Sequence, residues 1–174
     1  MSKYMNVIGK NARKASVEKI NTKIKNKILK KYASLIDKEK NSILKANAKD
    51  INFALKKNLK DNLVDRLILN QKKLNDIKNS IKKIIKLKDP IDKTLEKWSR
   101  PNGLKINRVS IPIGVIGVIY ESRPNVTSDV ASLCFKSGNA VILKGGSEAI
   151  NTNKILAKLF RKALKENKVN ENFI

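Results

Sequence analysis

Residues 112–149 read PIGVIGVIYESRPNVTSDVASLCFKSGNAVILKGGSEA, and this stretch decides the fold. Its two apolar runs, VIGVIY and AVILK, have the Val and Ile content of strands that are buried on both faces of a parallel sheet. Between them, the spacing predicts a helix over residues 126–136 that ends at Gly138 in a left-handed conformation. A second helix is predicted from Ser147. Strand, helix, strand, helix is the order of right-handed parallel crossover units, so the sequence predicts an α/β fold.

The first hundred residues have a different pattern. They are rich in lysine, and their apolar side chains recur at helical spacing. One long amphipathic helix or a broken pair of helices is expected over residues 20–50, and shorter helices are expected after it until Asp89-Pro90 ends the pattern. Residues 98–103, WSRPNG, form a turn-rich hinge. From Leu104 onwards apolar and polar residues alternate, which predicts a half-exposed strand.

The predicted sheet is incomplete. Two parallel strands leave faces and edges without cover, and the final residues 168–174, KVNENFI, resemble the beginning of a third strand. The sequence therefore predicts an N-terminal helical segment over residues 1–100 and the first part of a sheet domain over residues 101–174. Both are expected to belong to a longer protein.

The charge of the chain raises the question of a polyanionic partner. Among 174 residues there are 39 Lys+Arg and 15 Asp+Glu, which gives a net charge of +24, and residues 1–100 carry +18 of it. Nucleic-acid binding would favour a focused basic patch with aromatic residues for stacking, but aromatic residues make up only 5% and lysines occur throughout the helical segment. A solvated lysine-rich surface is the favoured interpretation, and a nucleic-acid partner is not expected.

Several functions are disfavoured by residues that the sequence lacks. No apolar run approaches the ~18 to 20 residues that span a bilayer, and the N-terminus has no signal-peptide pattern, so a cytoplasmic protein with no membrane partner is expected. The chain has no histidine and one cysteine, so no metal site is expected. Cys134 is predicted to lie on the apolar face of its helix, with Leu133 also facing inward. No histidine can activate its thiol, so a buried structural cysteine is predicted.

Polar residues follow both predicted parallel strands, where ligands bind in open sheets of this kind. Glu121, Ser122, Arg123 and Asn125 follow the first strand, and the sequence KGGSE, residues 144–148, follows the second. The two glycines are expected to adopt positive φ and to let a phosphate or a sugar approach the backbone.

The chemistry of these residues alone leaves alternatives open. Lys144 precedes the glycines, so the stretch is not a Walker loop, and GVIGVIY lies inside a strand, so it is not a dinucleotide fingerprint. Lys144 could be an edge lysine that reaches solvent, and Ser147 with Glu148 could form a plain helix cap.

The whole block of residues 112–149 resembles the N-terminal half of the γ-glutamyl phosphate reductase (glutamate-5-semialdehyde dehydrogenase) family, which belongs to the aldehyde dehydrogenase superfamily. Upstream, ANAKDI, LVDRLIL and KDPID also resemble the family's N-terminal helices. The resemblance implies a Rossmann-like nucleotide-binding sheet and an oxidoreductase of proline biosynthesis that reduces γ-glutamyl phosphate to glutamate 5-semialdehyde and phosphate with NADPH. It also implies that the catalytic thiol lies in a later domain, outside this chain, so the chain alone is expected to be inactive.

The resemblance assigns roles to individual positions. It places Lys144, Gly145, Gly146, Ser147 and Glu148 in the binding of the cofactor's adenosine ribose or its phosphate.

On the first strand's loop, the resemblance makes Asn125 a candidate contributor to the oxyanion hole. Arg123 aligns about as well with that position. From its charge and place, Arg123 is alternatively a candidate to face the phosphate or carboxylate of the substrate.

Two classes of function remain at this stage. The first is a reductase fragment, for which a homo-oligomer of the full-length enzyme and association with glutamate 5-kinase are expected. The second is a naturally truncated, inactive basic binding module. Coding DNA that continues in frame past Ile174 to a cysteine nucleophile would favour the first, and a stop codon there would favour the second.

Overall fold

A computed structural model describes residues 3–174, so Met1 and Ser2 of the N-terminal stretch lie outside the described residues. The described chain contains a helical layer and a small parallel sheet with its helices. The helical layer comprises α1 (Lys3–Ser16), α2 (Thr22–Lys38), α3 (Lys40–Lys56), α4 (Asp61–Leu67) and α5 (Gln71–Lys86). It is followed by β1 (Thr94–Ser99), β2 (Lys105–Val109), β3 (Val115–Tyr120), α6 (Pro124–Lys136), β4 (Ala140–Gly145) and α7 (Ile150–Glu166).

The stretch from residue 20 to residue 50 is a broken pair of helices, α2 and α3, which are separated at Glu39. Two asparagines set helix starts in this layer. The side chain of Asn21 accepts a hydrogen bond from the Ile24 amide, and that of Asn70 accepts one from the Lys73 amide, both at 2.9 Å. Each bond satisfies an amide that has no partner within the first turn of its helix.

Of the hinge predicted at residues 98–103, residues 100–103 belong to the turn of an antiparallel hairpin, and Trp98 and Ser99 end its first strand. β1 and β2 pair from Thr94 with Val109 to Ser99 with Lys105. The alternation from Leu104 correctly indicated a strand, β2, but its predicted half-burial is wrong, because every residue of β2 except Ile106 is exposed. The strand β1 was not predicted. All six residues of β1 are exposed, so this strand has no buried face that would give an apolar alternation.

The predicted crossover unit is confirmed, and so is the α/β fold class. β3 and β4 are parallel, in a register that runs from Val115 with Ala140 to Tyr120 with Gly145. α6 connects the two strands, and Gly138 after it has φ +73°, the left-handed conformation expected there.

Burial of β3 on both faces was predicted wrongly. Ile119 is 85% exposed, because α1 packs mainly against β4 and β3 pairs with β4 alone among the described residues.

The third strand predicted at residues 168–174 is also absent. Residues Glu171–Phe173 form one turn of 3-10 helix, in which the Asn170 side chain accepts a hydrogen bond from the Asn172 amide at 3.0 Å. Phe173 is buried, and its ring lies 5.3 Å from the ring of Phe135 in an edge-to-face arrangement. Burial of the Phe173 ring against α6 therefore fixes this end of the described chain as a turn.

One hydrophobic cluster joins the helical layer to the sheet helices. The ring of Tyr32 in α2 lies 4.6 Å from that of Phe160 in α7, and Phe135 of α6 lies 5.7 Å from Phe160. The Tyr32 hydroxyl is 2.6 Å from the Ser128 hydroxyl, so the one polar atom of this buried ring has a partner. Burial raises the pKa of Tyr32 far above its ordinary value, so the phenol stays neutral. The position of the sheet helices thus depends on α2.

A buried ion pair holds the end of the helical layer in place. Lys25 Nζ lies 3.0 Å from Asp89 Oδ2, and the two side chains are 4% and 9% exposed. Asp89 also accepts hydrogen bonds from the Thr22 hydroxyl at 2.8 Å and from the Ile91 amide at 3.1 Å. Burial alone would raise the pKa of Asp89, but the bonds from Thr22, Lys25 and Ile91 together lower it below its ordinary value.

We predict that Asp89→Asn lowers the free energy of unfolding by about 2 to 4 kcal/mol at pH 7, because Lys25 then remains buried without a counter-charge. A carboxyl group whose pKa is lower in the folded state stabilises the fold above its unfolded pKa, and that contribution disappears as the pH falls through the folded pKa. Urea unfolding should therefore show a gap between the two proteins at neutral pH that narrows below about pH 4. The exposed matched variant Asp65→Asn should show no such gap, and a gap independent of pH would contradict this role for Asp89.

Candidate functional site

The candidate site lies at the carboxyl ends of β3 and β4. Loop residues 121–123 lead from β3 into α6, and residues 146–149 lead from β4 into α7. Because the strands are parallel and adjacent, both loops emerge at the same edge of the sheet. The two polar stretches that the sequence places after the predicted strands therefore lie at one edge of the sheet.

A carboxylate connects the two loops. Glu148 Oε1 accepts hydrogen bonds from the Ser122 amide at 2.6 Å and from the Ser122 hydroxyl at 3.0 Å. Ser122 is buried and has φ +41°, a left-handed conformation that is uncommon for a residue with a side chain. The two hydrogen bonds to Glu148 hold Ser122 in this conformation, so Glu148 fixes the shape of the first loop as well as its own.

Lys144 adds a positive charge to this junction. Its side chain is exposed near the end of β4, and Ile119 of β3 is its partner in the sheet register. Partial burial alone would raise the pKa of Glu148, but the amides of Glu148 and Ser122, the Ser122 hydroxyl and the charge of Lys144 lower it. The site therefore presents an ionised carboxylate beside an accessible ammonium group.

The structure requires glycine at positions 145 and 146 for a different reason from the positive φ that was predicted. Neither has positive φ, and Gly146 has φ −63° and ψ 154°. A Cβ atom on Gly146 would collide with the Glu148 carboxylate, and one on Gly145 would collide with the Asn153 side chain and approach the Tyr120 ring. These glycines make space for neighbouring side chains; they do not supply a left-handed turn.

Ser147 is exposed and begins a single 3-10 turn, Ser147–Ala149, from which α7 continues. The N-cap residue is Gly146 for this turn and Ala149 for α7, so the interpretation of Ser147 as a plain helix cap is wrong.

The cap of α7 comes from Asp50 in α3, a residue that the sequence analysis missed. Asp50 Oδ1 accepts hydrogen bonds from the Asn151 amide and side chain at 3.0 and 2.8 Å. Asp50 Oδ2 accepts from the Thr152 amide and hydroxyl at 2.8 and 2.6 Å. Asp50 is 1% exposed, and four donors satisfy its two oxygens. No local sequence pattern could reveal this cap, because Asp50 and the residues that donate to it, Asn151 and Thr152, are about a hundred positions apart. The stretch ANAKDI, which contains Asp50, indicated only a family resemblance.

On the β3 side, Arg123 occupies the N-cap position of α6 with an exposed side chain. Asn125 lies one turn before Asp129 in α6, and its Nδ2 donates a hydrogen bond to Asp129 Oδ2 at 3.2 Å. The structure thus brings Arg123, Asn125 and Ser122 to the end of β3. Asn125 faces α4 and α5 through a cavity that it shares with them.

Cys134 lies in the second half of α6 and is buried, as predicted. Burial raises the pKa of its thiol, which keeps it protonated and a weak nucleophile. Leu133 does not share its face: the side chain of Leu133 is 47% exposed, because the inward stripe of α6 runs through Ala131, Cys134 and Phe135.

Residues 3–174 contain no cluster of three or more metal-binding His, Cys, Asp or Glu residues. No helix in this range is both long enough and apolar enough to cross a membrane.

Comparison with solved structures defines the class of protein. An acetylating aldehyde dehydrogenase from Geobacillus thermoglucosidasius matches with a TM-score of 0.64 at 19% identity, over 99% of this chain and 36% of that chain. The chain therefore has the fold of the N-terminal part of an aldehyde dehydrogenase-like protein. No protein-family model matches it.

Within this class, the similarity to one enzyme is much higher. The crystal structure of γ-glutamyl phosphate reductase from Thermotoga maritima matches with a TM-score of 0.93 at 42% identity, over 97% of this chain and 41% of that chain. The γ-glutamyl phosphate reductase of Clostridium tetani is 43% identical over 176 aligned residues, which cover 100% of this chain and 41% of that protein. The chain is thus homologous to the N-terminal part of γ-glutamyl phosphate reductases, which confirms the resemblance seen in the sequence. It spans 33 to 41% of the length of the curated relatives it matches.

We predict that Asp50→Ala lowers the free energy of unfolding by about 2 to 4 kcal/mol, because two buried donors of Thr152 and two partly buried donors of Asn151 lose their acceptor. The amides of residues 145–149 should also exchange with solvent faster, since the 3-10 turn precedes the released helix end. Urea unfolding and amide hydrogen exchange measure the two effects. Asp65→Ala, an exposed change of the same type, serves as the control. Unchanged exchange in residues 145–149 would show that Asp50 does not hold this loop.

Proposed function

We propose that this chain supplies the N-terminal, nucleotide-binding part of a γ-glutamyl phosphate reductase. The complete enzyme would reduce γ-glutamyl phosphate to glutamate 5-semialdehyde and phosphate with NADPH, in proline biosynthesis in the cytoplasm. Two findings support the proposal: homology over the whole described fold, and a polar junction at the sheet edge where nucleotides bind in related folds.

The observation that carries the cofactor assignment is the Glu148 junction. A carboxylate fixed by Ser122 and held ionised is a suitable acceptor for the hydroxyl groups of a ribose. Lys144 beside it is a cation that can meet a ribose phosphate. Gly145 and Gly146 belong to the proposed set because they leave room for the side chains that shape the junction, among them the Glu148 carboxylate. Ser147, exposed on the same turn, completes the proposed cofactor-binding set.

The nicotinamide cofactor would supply a hydride to an acyl group, and the residues of this chain would hold its adenosine end. The chemistry of the family also needs a thiolate that displaces phosphate. Cys134 does not fit that role, because its thiol is buried with a raised pKa. We therefore expect no reductase turnover from the 174-residue chain alone.

On the substrate side, we propose that Arg123 attracts the phosphate and that the Asn125 amide donates to the acyl oxygen. Arg123 is exposed at the start of α6, and the bond to Asp129 orients the Asn125 side chain. A homo-oligomer and association with glutamate 5-kinase are proposed for the complete enzyme. The division into a helical segment over residues 1–100 and a nucleotide-binding part over residues 101–174 is retained as part of this proposal.

We predict that Glu148→Gln weakens NADPH binding by the chain about tenfold, because a charged acceptor of ribose hydroxyls is lost while the bonds from Ser122 can persist. Lys144→Ala should weaken NADPH more than NADH, because only NADPH carries the 2′-phosphate. Fluorescence titration of each nucleotide against the purified chain measures both effects.

Lys97→Ala, which removes an exposed lysine from β1, is the matched control for charge and should leave both affinities unchanged. Equal nucleotide affinities in the wild type, Lys144→Ala and Glu148→Gln proteins would contradict the cofactor assignment.

A further inference from the structure

The cavity that Asn125 shares with α4 and α5 has a volume of about 380 Å³ and lies between α6 and these two helices, next to the loop that follows β3. Its polar lining comes from three helices. The residues are Arg66 of α4, Lys73, Asp76 and Ser80 of α5, and Asn125 and Asp129 of α6. Two apolar side chains, Leu69 and Ile77, complete the wall.

The charges of this cavity are balanced, although the chain carries +24. Arg66 and Lys73 provide two positive groups, and Asp76 and Asp129 provide two negative groups. Lys73 is fixed at the wall, because its Nζ donates to the Ile68 carbonyl at 2.6 Å and to the Asp65 carbonyl at 3.2 Å. A site of this composition suits a ligand that itself carries both charges.

Asp129 has an acceptor that no group in the described chain satisfies. Its Oδ2 atom holds the Asn125 amide, while its Oδ1 atom is buried and has no hydrogen-bond partner. Buried carboxylate oxygens in folded proteins almost always have a donor, so an orphaned one beside a cavity points to a donor on a ligand. An ammonium group offers three such donors and the opposite charge.

We propose that this cavity binds the α-amino acid end of the substrate, with the α-ammonium on Asp129 and the α-carboxylate on Arg66 and Lys73. The inference rests on the proposed function, because γ-glutamyl phosphate carries that end. Leu69 and Ile77 contact the methylene groups. Asn125 lies one turn of α6 before Asp129, about 6 Å along the helix axis. That spacing directs the acyl end of a glutamyl chain towards Asn125 and Arg123, at the carboxyl end of β3.

The test compares two small ligands that differ only in the ammonium group, L-glutamate and glutarate. Each is titrated into the ¹⁵N-labelled 174-residue chain, and the signals of the Asn125 side-chain amide and the Arg66 Nε–H group are followed. At about 20 mM ligand, a site with a Kd near 1 mM is almost saturated. L-glutamate should shift both signals, and glutarate should bind at least about tenfold more weakly, because Asp129 would repel a ligand without the ammonium group.

Asp129→Asn should remove the preference for L-glutamate over glutarate while keeping the shape of the site. Arg66→Ala, an exposed change, should weaken both ligands by a similar factor. Asp65→Asn and Lys72→Ala, which alter exposed charges outside the cavity lining, are the matched controls and should leave both affinities unchanged. Thermal unfolding of each variant shows whether it is still folded. If Asp129→Asn is unfolded, the test rests on whether Arg66→Ala weakens the binding of both ligands by a similar factor.

The proposal is overturned if neither signal moves with L-glutamate, or if both ligands bind equally to the wild-type chain. An NADPH titration of the same samples separates this failure from that of the proposed function. If the chain binds the nucleotide but not L-glutamate, only the proposal for the amino-acid cavity is refuted. If the chain binds L-glutamate but not the nucleotide, the cofactor assignment is refuted and the proposal for the cavity stands.

Discussion

The capping of α7 by Asp50 is the interaction on which the candidate site depends. A helix that follows a parallel strand starts with amides that have no partner in the helix, and here a carboxylate from α3 accepts the bonds of two of them. The 3-10 turn Ser147–Ala149 lies between β4 and this anchored helix end. Glu148 is therefore held from both sides, by the strand before it and by the cap after it. The helical layer thus positions the loop, and Ala149 of this turn lies in one buried cluster with Ala54, Val64 and Leu67 of that layer.

The same contact limits how this site can bind an anion. In many nucleotide-binding folds, phosphates bind to the free amides of the helix that follows a strand. In this chain the Asn151 and Thr152 amides already donate to Asp50, which also places a negative charge at that helix end. A phosphate there would meet an acceptor and a like charge. Positive charge must instead come from a side chain, and Lys144, exposed near the end of β4, is placed to provide it.

Sequence reasoning predicted what depends on neighbours along the chain. The apolar runs predicted β3 and β4, and a glycine after α6 predicted its left-handed end. Helical spacing predicted the helices of the first hundred residues but left open whether α2 and α3 are one helix or two. Contacts between distant segments could not be predicted in this way. Asp50 appears in ANAKD as one more polar residue of a helix surface, yet it is almost fully buried. The sequence predictions assigned Gly145 and Gly146 to the candidate site but gave the wrong physical reason for them. A glycine in the sequence does not reveal whether the fold needs a positive φ or needs space for a neighbouring side chain.

Acidic residues, which are scarce in this chain, explain more of its structure than the abundant basic ones. Asp89 pairs with buried Lys25, Asp50 caps α7, and Glu148 joins the two loops of the sheet. In each case the carboxylate accepts hydrogen bonds from backbone amides or hydroxyl groups, which lysine cannot do because its ammonium group only donates. A net charge of +24 therefore does not by itself indicate a polyanion site. The lysine excess covers exposed helix faces, whereas specificity depends on the few places where a carboxylate is held by several donors.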